Sequence, residues 1–272
     1  MQVAIFQFSG TGNTWYVAKQ LQAAFLHKGH PCDLYSLEND IDIDALIKKA
    51  DIIGIGYPIY GSNFPKPIGL FLDRLKTVEQ KRAFVFCTQM MYSGDGAVIA
   101  AKRLRKKGFL VRQLMHINMP NNITDFRIVR WVKPMKEAKL TDKVARKTHT
   151  FSDAIINDKR KRKGEGVGSL LLGLMQRVPL GLIEPKSSSL LKVDNRCIAC
   201  GLCVKLCPSG HLSLRDNHLV MGNTCYLCYR CLNHCPTKAL HVAKKTQVKR
   251  PYLGPVSDFK IDDVRRNIRL SK

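Results

Sequence analysis

The sequence is poor in acidic side chains for its size. Its 272 residues include 21 aspartate and glutamate residues against 45 lysine and arginine residues, which gives a formal net charge of +24 at pH 7. A charge of this size is far larger than solubility requires, so we expect anionic partners. Aromatic residues are also few, at 8%, but 45% of the residues are hydrophobic. This content argues against intrinsic disorder and is sufficient for one large or two medium domains.

Long apolar runs are absent as well. No uninterrupted stretch of about 18 apolar residues occurs, so we expect no membrane span. The N-terminal residues have neither the charged region nor the cleavage site of a signal peptide, and we therefore expect a cytoplasmic protein. Cytosolic thiols stay free unless a metal binds them. Because eight of the ten cysteines fall between Cys197 and Cys235, we expect metal ligands there rather than disulfides.

These cysteines form two copies of one motif, C-x2-C-x2-C-x3-C-P, about 28 residues apart. The run is the pattern of bacterial ferredoxins with two [4Fe-4S] clusters, in which the fourth cysteine of each run binds the other cluster. The spacing therefore predicts two crossed ligand sets, Cys197, Cys200, Cys203 and Cys235 for the first cluster, and Cys225, Cys228, Cys231 and Cys207 for the second. A structural zinc site needs only paired cysteines and leaves the third and fourth of each run without a role.

Residues 194–242 closely resemble the bacterial two-cluster ferredoxins. The resemblance implies cubanes that each carry one electron and that are exposed to docking partners. We expect Tyr226 and Tyr229 to pack around a cluster rather than to relay electrons. His211 and His234 lie beside the motifs, and because all eight thiolates are present we expect both to be solvated or hydrogen-bonded rather than ligands.

The first 150 residues alternate buried-strand patterns with helix patterns, which is typical of βαβ units and a parallel sheet. Strands are predicted at 3–8, 32–37, 51–57, 83–88 and 110–117. Helices are predicted at 13–27, 42–49, 66–75, 95–107 and 133–158. These elements make an α/β domain with a five-stranded, parallel, doubly wound sheet, in which ligands bind at the carboxyl ends of the strands.

A phosphate-binding loop follows the first predicted strand. Its residues are Ser9, Gly10, Thr11, Gly12, Asn13 and Thr14, and a helix pattern begins at once. Hydroxyl and backbone N–H groups at a helix N-terminus offer donors to an anion, and glycines let the backbone come close. The loop has no Walker lysine and no third glycine of a dinucleotide fingerprint, so ATP and NAD are disfavoured. It resembles the phosphate loop of flavodoxins, which implies that these residues bind the phosphate of FMN.

Two further loops follow strands of the same sheet, and the resemblance to flavodoxins implies that they flank the flavin ring. The candidate residues are Pro58, Ile59, Tyr60 and Gly61 in one loop, and Thr88, Gln89, Met90, Tyr92, Ser93, Gly94 and Asp95 in the other. Tyr60 and Tyr92 are the candidates for stacking on the ring. Ile59 or Met90 is the aliphatic alternative for the inner face.

Four more residues complete the candidates in this domain. Asn121 and Asn122 follow the fifth predicted strand and are candidates for a third wall, although turns need such residues in any case. Cys32 and Cys87 lie in strand patterns, and we expect both to be buried, inert thiols. A reactive Cys87 stays as the alternative because it is adjacent to a flavin loop. No catalytic residue is assigned.

The whole chain resembles the flavodoxin–ferredoxin fusion proteins of anaerobic bacteria and archaea. We divide it into a flavodoxin-like domain at 1–158, a connector at 159–190, a small α+β two-cluster ferredoxin domain at 191–243 and a basic tail at 244–272. The resemblance implies a cytoplasmic electron-transfer flavoprotein with FMN and two [4Fe-4S] clusters. FMN exchanges electrons singly or in pairs and a cubane passes one, so the chain is expected to link the two kinds of carrier. A ferredoxin-dependent reductase of a small organic substrate is the alternative.

The positive charge is concentrated in two zones that flank the cysteine region. Residues 102–163 contain 19 basic and five acidic side chains, and residues 242–272 contain nine and three. We expect these zones to dock an acidic redox protein of the ferredoxin or flavodoxin type, at a rate that falls with salt. Nucleic acid is not expected, because no recognition motif accompanies the charge.

The connector joins five consecutive basic residues, 159–163, to an apolar segment, 167–183. A basic cluster beside an apolar helix is one way to bind an anionic membrane surface. We favour another role, in which a stripe of apolar residues is buried as a strut between the two domains. The stripe consists of Leu170, Leu171, Leu174 and Val178. Pro179 limits the helix to about three turns, which is short for interfacial anchoring without tertiary support.

Overall fold

The structure, a computed structural model, describes residues 1–124, 135–183, 187–242, 248 and 250–269. The main sheet of this part consists of β1 (Val3–Gln7), β2 (Cys32–Ser36), β3 (Ile52–Pro58), β4 (Arg82–Gln89), β5 (Leu110–Asn118) and β6 (Lys161–Arg162). The strand order is β2-β1-β3-β4-β5-β6, and every neighbouring pair is parallel. Its first five strands have the order of flavodoxin-like doubly wound sheets, so the predicted fold class is confirmed.

The sequence analysis does not predict β6. This short strand is formed by two residues of the basic run 159–163, which we assigned to the connector. Lys161 is paired with Gln113 and Arg162 with Leu114 of β5. A very short edge strand that carries lysine discourages pairing with further strands. The basic run therefore belongs in part to the sheet of the first domain.

Helices cover both faces of the sheet. They are α1 (Asn13–His27), α2 (Ile43–Lys49), α3 (Lys66–Arg74), α4 (Gly96–Lys106) and α5 (Glu137–Ile156). On one face, Leu21 and Phe25 of α1 and Val144 and Phe151 of α5 share a core. The helices α2, α3 and α4 pack on the other face. The five predicted helices are confirmed; residues 133 and 134 of the last prediction lie outside the described residues.

Two glycines in β3 make room for aromatic side chains of β4. A Cβ atom on Gly54 would lie 2.3 Å from Cζ of Phe84, and one on Gly56 would lie 2.2 Å from Cζ of Phe86. Both phenylalanines are fully buried. Glycine is required at these strand positions because another residue approaches closely. The two rings anchor the strand that leads into the loop after β4.

The next helix, α6 (Val167–Ile183), follows β6 after a short turn. The side chains of the predicted strut are exposed, with fractions of 44% for Leu170, 58% for Leu171, 55% for Leu174 and 58% for Val178. The prediction of a buried strut between the domains is therefore wrong. The reason is that small and polar residues of α6 make its inner contacts. Across the described residues, each helix is too short or too polar to cross a membrane.

The cysteine region forms a small α+β unit. Its elements are α7 (Ser187–Leu190), β7 (Lys192–Val193), α8 (Leu202–Leu206), β8 (Leu212–Arg215), β9 (His218–Met221), α9 (Arg230–His234) and β10 (Leu240–His241). The strands β8 and β9 form an antiparallel hairpin, and β7 pairs antiparallel with β10. Each of α8 and α9 begins inside a cysteine motif, and Leu191, Leu212, Leu232 and Leu240 form the core between them.

The C-terminal residues pack on the first domain. Val264, in a 3₁₀ helix at Ile261–Arg265, is fully buried in the core that α1 and α5 share. Ile268 and Leu34 of β2 exchange two backbone hydrogen bonds of 2.8 Å. The described part of the predicted tail is therefore a folded part of this domain; residues 244–247, 249 and 270–272 lie outside the description.

Candidate functional site

A cavity of about 770 Å³ lies between the two domains, at the carboxyl ends of the central strands. Its volume is that of a site for a cofactor-sized ligand. The predicted flavin-site residues that line it are Ser9, Gly10, Thr11, Asn13, Thr14, Pro58, Ile59, Tyr60, Gly61, Thr88, Gln89 and Met90. Asn121 and Asn122 also line it, as proposed for a third wall. The structure thus brings together loops that follow β1, β3, β4 and β5.

The opposite wall comes from the cysteine-rich unit and was missed by the sequence analysis. Its residues include Ser187, Ser188, Leu190, Asn223, Thr224, Cys225, Tyr226, Leu227, Tyr229 and Val242. No local sequence pattern indicates which face of a second domain will dock on the first. Lys66 at the start of α3 also lines the cavity and adds a cation to its wall.

The phosphate loop is held in place by hydroxyl and amide side chains. Oγ1 of Thr14 lies 2.9 Å from Oγ1 of Thr88 at the end of β4. Nδ2 of Asn122 donates a hydrogen bond of 2.9 Å to Oγ1 of Thr11. The helix α1 begins at Asn13, so its N-terminal N–H groups belong to the same loop. An anion here would meet preorganised donors.

C-terminal residues support the same loop from outside the cavity. Tyr252 donates a hydrogen bond of 2.5 Å to Oδ1 of Asn13. Gly12 has a φ of +98°, and a Cβ atom there would lie 2.5 Å from Cζ of Phe259. Both facts require glycine at this position. Gly12 therefore faces the C-terminal residues and is absent from the cavity wall among the described residues.

Arg230 connects the phosphate loop to the second cysteine motif. Its side chain is fully buried, and each of its five N–H groups donates a hydrogen bond. Nε and Nη2 donate to the carbonyl oxygens of Gly10 and Ser9, both at 2.8 Å. Both Nη atoms bind the carboxylate of Glu38, and Nη1 also donates to the carbonyl of Leu206. One buried cation thus joins three separate segments of the chain.

The phosphate loop also touches the second motif directly. A Cβ atom on Gly10 would lie 2.5 Å from the carbonyl oxygen of Cys228. Tyr60 lies in the same region: burial raises its pKa well above the ordinary value, a charge on Cys228 raises it further, and Arg230 lowers it. The Tyr60 hydroxyl therefore stays protonated near neutral pH. Tyr60 therefore lies where the loop after β3 meets the second motif.

The eight motif cysteines line two small cavities. One is lined by Cys197, Cys200, Cys203 and Cys235, and the other by Cys207, Cys225, Cys228 and Cys231. The structure therefore brings the cysteines together in the crossed sets that the spacing predicts. Within the described residues, no three His, Cys, Asp or Glu side chains converge as ligands of a single metal ion. Thiols arranged around a cavity suit a polynuclear cluster.

Burial controls the protonation of the thiols. Cys32 and Cys87 are buried in strands, and burial raises the pKa of each well above its ordinary value, which fits inert thiols. Burial also raises the pKa of Cys203 and of Cys228 to about 11. Because metal ligands are thiolates, assembly of a cluster on these residues would release protons.

The aromatic neighbours of the motifs differ in their surroundings. Tyr226 packs edge-on against Phe8, with ring centroids 6.3 Å apart. His234 is hydrogen-bonded, since its Nδ1 lies 3.0 Å from the carbonyl oxygen of Arg230. His211 is buried beside the second cysteine cavity, and neither ring nitrogen has a hydrogen-bond partner among the described residues. Our expectation of a solvated or hydrogen-bonded side chain is wrong for His211.

The end of the loop after β4 faces α6 instead of the cavity. Tyr92 is 54% exposed, and its hydroxyl lies 3.4 Å from Oγ of Ser169. Asp95 is fully buried and forms an ion pair with Arg177 of α6. A Cβ atom on Gly94 would lie 2.5 Å from the backbone of α6. In the described residues, Tyr92, Gly94 and Asp95 are therefore absent from the cavity wall.

Ser93 belongs to a buried chain of hydrogen bonds. Burial, with a smaller contribution from the charge of Lys163, lowers the pKa of His116 to about 4, so the imidazole is neutral near pH 7. Its Nε2 accepts the Ala97 N–H at 3.2 Å, which leaves Nδ1 to donate to Oγ of Ser93 at 3.2 Å. Ser93 in turn donates to Oε1 of Gln89. The chain fixes Gln89, which does line the cavity.

We expect the buried Arg230–Glu38 pair to stabilise the fold strongly. Arg230→Met should lower the free energy of unfolding by about 3 kcal/mol, because Glu38 would stay buried without its main partner. Arg196→Met is the matched control beside the first motif: its pair with Asp194 is about one-third exposed and should contribute at most about 1 kcal/mol. Denaturant unfolding of the anaerobically purified proteins, followed by circular dichroism, measures both. Equal losses would contradict this prediction.

Comparison with known proteins finds one family match and several similar solved structures. Residues 196–240 match the family model of the 4Fe-4S dicluster domain. Among curated proteins, no sequence matched the chain. Similar solved structures include a flavodoxin from the domain Archaea, with 16% identity over 57% of this chain and 99% of that chain and a TM-score of 0.42. The Streptococcus pneumonia TIGR4 flavodoxin has 14% identity over 58% of this chain and 99% of that chain, with a TM-score of 0.45. The two-electron reduced Megasphaera elsdenii flavodoxin has 23% identity over 56% of this chain and 99% of that chain, with a TM-score of 0.40. By its strand order and by the family match, the chain joins a flavodoxin-like domain to an iron–sulfur segment of the 4Fe-4S dicluster type.

Proposed function

We propose that this protein is an electron-transfer flavoprotein in which two [4Fe-4S] clusters exchange electrons with FMN. The observation that carries the proposal is the contact between Gly10 of the phosphate loop and Cys228 of the second motif. The loop would hold the phosphate of FMN, and Cys228 would bind a cluster. The two cofactor sites therefore share a wall, which favours direct electron exchange.

The residues of the large cavity fit FMN. Hydroxyl groups of Thr11 and Thr14 and the N-terminus of α1 supply donors for the phosphate. Tyr60, Ile59 and Met90 supply an aromatic and an aliphatic surface for the ring. When bound, FMN supplies one-electron and two-electron chemistry. Tyr60 is the better candidate for stacking, because Tyr92 lies against α6.

The two cysteine cavities fit two clusters in series. Cys225, of the second set, also lines the large cavity, whereas the first set contributes no residue to the described wall of that cavity. The first set lies nearer the surface, with Cys200 exposed and Ile198 65% exposed. We infer a path from a partner protein to the first cluster, then to the second, then to FMN. The buried His211 lines the second cysteine cavity and would supply an N–H donor to a cluster held there, and such donors tune the potential.

An acidic redox protein of the ferredoxin or flavodoxin type is the proposed partner. Arg196 and Lys205 lie on or beside the first motif, and the unit from 194 to 241 has five basic and two acidic residues. A cytoplasmic location is part of the same proposal, since the cluster thiols must be kept free for iron.

A ferredoxin-dependent reductase of a small organic substrate is the second candidate function. Tyr60 lines the large cavity, and its hydroxyl is protonated near neutral pH. This favours the second function, because a tyrosine hydroxyl can donate a proton to a substrate. The two functions differ in whether a small molecule is turned over without a protein acceptor.

We expect anaerobic reconstitution to load about eight iron and eight sulfide ions per chain, because two complete sets of four thiolates are present. Cys235→Ser should damage the first cluster and leave the second. Cys32→Ala, which removes a buried thiol remote from both cysteine cavities, should leave both clusters intact. Iron and sulfide analysis with electron paramagnetic resonance reports the outcome. Selective loss of the second cluster in the Cys235 variant would show that the crossed pairing is wrong.

We expect one noncovalent FMN per chain. Thr14→Val should weaken FMN binding by about tenfold or more, because it removes a hydrogen bond to a charged group in a buried site. Thr150→Val, which changes an exposed threonine of α5, should leave the affinity unchanged. Fluorescence titration of the flavin-free protein measures both constants. A reconstituted protein that retains no FMN would remove the flavin from the proposed function.

We expect reduction of the clusters by an acidic ferredoxin to slow markedly between low and high salt, because opposite charges steer the encounter and salt screens them. Stopped-flow spectroscopy follows clusters and flavin separately. A rate indifferent to salt would contradict electrostatic docking. Turnover of a small organic acceptor without a protein acceptor would favour the reductase.

A further inference from the structure

The helix α6 is amphipathic, but its polar side faces the protein and its apolar side faces solvent. Its inner side carries Ser169, Gly173, Gln176 and Arg177, which contact the first domain. Its outer side is apolar and exposed: Val167 75%, Leu171 58%, Leu174 55%, Met175 72% and Val178 58%. A surface helix normally places such residues toward the core.

The exposed residues form one continuous face. Their spacing of i, i+4, i+7, i+8 and i+11 places them along a single side of the helix. The ion pair of Arg177 with the fully buried Asp95 fixes the opposite side of α6 to the loop after β4. The helix also continues through Pro179 to Ile183, so the prediction that Pro179 limits it to about three turns is wrong. The longer helix and its tertiary support remove the objection that it is too short to be stable at an interface. The outer face is therefore held rigidly toward solvent.

Positive charge lies directly beside the N-terminus of α6. The run 159–163 precedes the helix, and four of its five side chains, those of Lys159, Arg160, Lys161 and Lys163, are exposed. Partial burial lowers the pKa of Lys147, and repulsion from Lys163, Lys143 and Lys161 lowers it further. Several cations are thus close enough to repel one another. The nearby Glu165 is already paired with Arg105 and Arg162.

We propose that the outer face of α6, together with the basic run 159–163, docks on an anionic lipid bilayer. The aliphatic side chains would enter the boundary between headgroups and acyl chains, and the lysines would lie at the anionic headgroups. A second copy of the chain fits less well, because two molecules of charge +24 repel each other. The face also lacks the aromatic residues that protein interfaces favour.

Docking in this way has a consequence for the large cavity. The helix α6 begins shortly after the basic run 159–163, and Gly181 near its C-terminal end lines the cavity between the domains. Membrane contact along α6 would therefore place one edge of the cavity close to the headgroup region. The proposal itself does not depend on the cofactor that the cavity binds.

Flotation with lipid vesicles tests the docking. The full chain should float with phosphatidylcholine vesicles that contain phosphatidylglycerol and remain unbound with phosphatidylcholine alone. Leu171→Gln/Leu174→Gln/Met175→Gln should reduce the partition coefficient at least about tenfold. Leu26→Gln/Leu70→Gln/Leu253→Gln is the matched control, because it removes three exposed apolar side chains elsewhere.

A second pair of variants tests the charge. Lys159→Gln/Lys161→Gln/Lys163→Gln should reduce binding about a hundredfold, since each basic residue near the surface contributes about a factor of five. Lys19→Gln/Lys48→Gln/Lys49→Gln removes three exposed charges from α1 and α2, and this variant should retain most of the binding to anionic vesicles. Circular dichroism and thermal unfolding verify that each variant is folded.

Three results would overturn the proposal. The first is the absence of flotation with anionic vesicles. The second is flotation that the apolar variant retains in full, because the charge alone would then account for binding. The third is a dimer, detected by light scattering after size exclusion, that the apolar variant converts to a monomer while its control does not. That result would assign the face to a second copy of the chain.

Discussion

The burial of the Arg230 guanidinium is the constraint on which the site depends. A buried cation is tolerated only when its N–H groups and its charge are satisfied. The acceptors of Arg230 are the carbonyls of Ser9, Gly10 and Leu206 and the carboxylate of Glu38. Few orientations of the second domain provide all of them at once. The pair therefore determines where the second cysteine motif sits relative to the phosphate loop, and such specificity is the best-supported use of buried ion pairs.

A second arginine has the corresponding role at the loop after β4. Arg177 of α6 binds the fully buried Asp95 and so fixes the loop after β4. Both arginines lie beyond residue 158 and outside the flavodoxin-like domain as the sequence defines it. The loops that would surround the flavin are thus held by segments that follow that domain. Removal of the segment with Arg177 would leave the buried Asp95 without its cation, and removal of the segment with Arg230 would leave Glu38 with Arg265 alone.

Local sequence was enough to predict most of the fold and part of the site. The alternation of strands and helices predicts the doubly wound sheet, because each element is specified by its own periodicity. The spacing of the cysteines predicts the sets that line the two small cavities, since that spacing is itself the geometric requirement. The strut prediction is wrong because an apolar stripe on α6 indicates residues that favour contact with another apolar surface, but it does not indicate whether this chain supplies that surface. Ser93 and Asp95 turned away from the cavity because His116 and Arg177, both distant in sequence, bind them.

Arg230 could have been recognised from sequence alone. It is a long cation between Cys228 and Cys231, two cysteines that line the same small cavity. A charge confined to such a position needs a counter-charge, and Glu38 is among the few acidic residues of a chain with a large excess of positive charge. The scarcity of acidic residues limits the number of carboxylates that could pair with Arg230. It also explains why the exposed lysines beside α6 have few carboxylates to pair with inside the protein, so that their charge remains available for an anionic surface outside it.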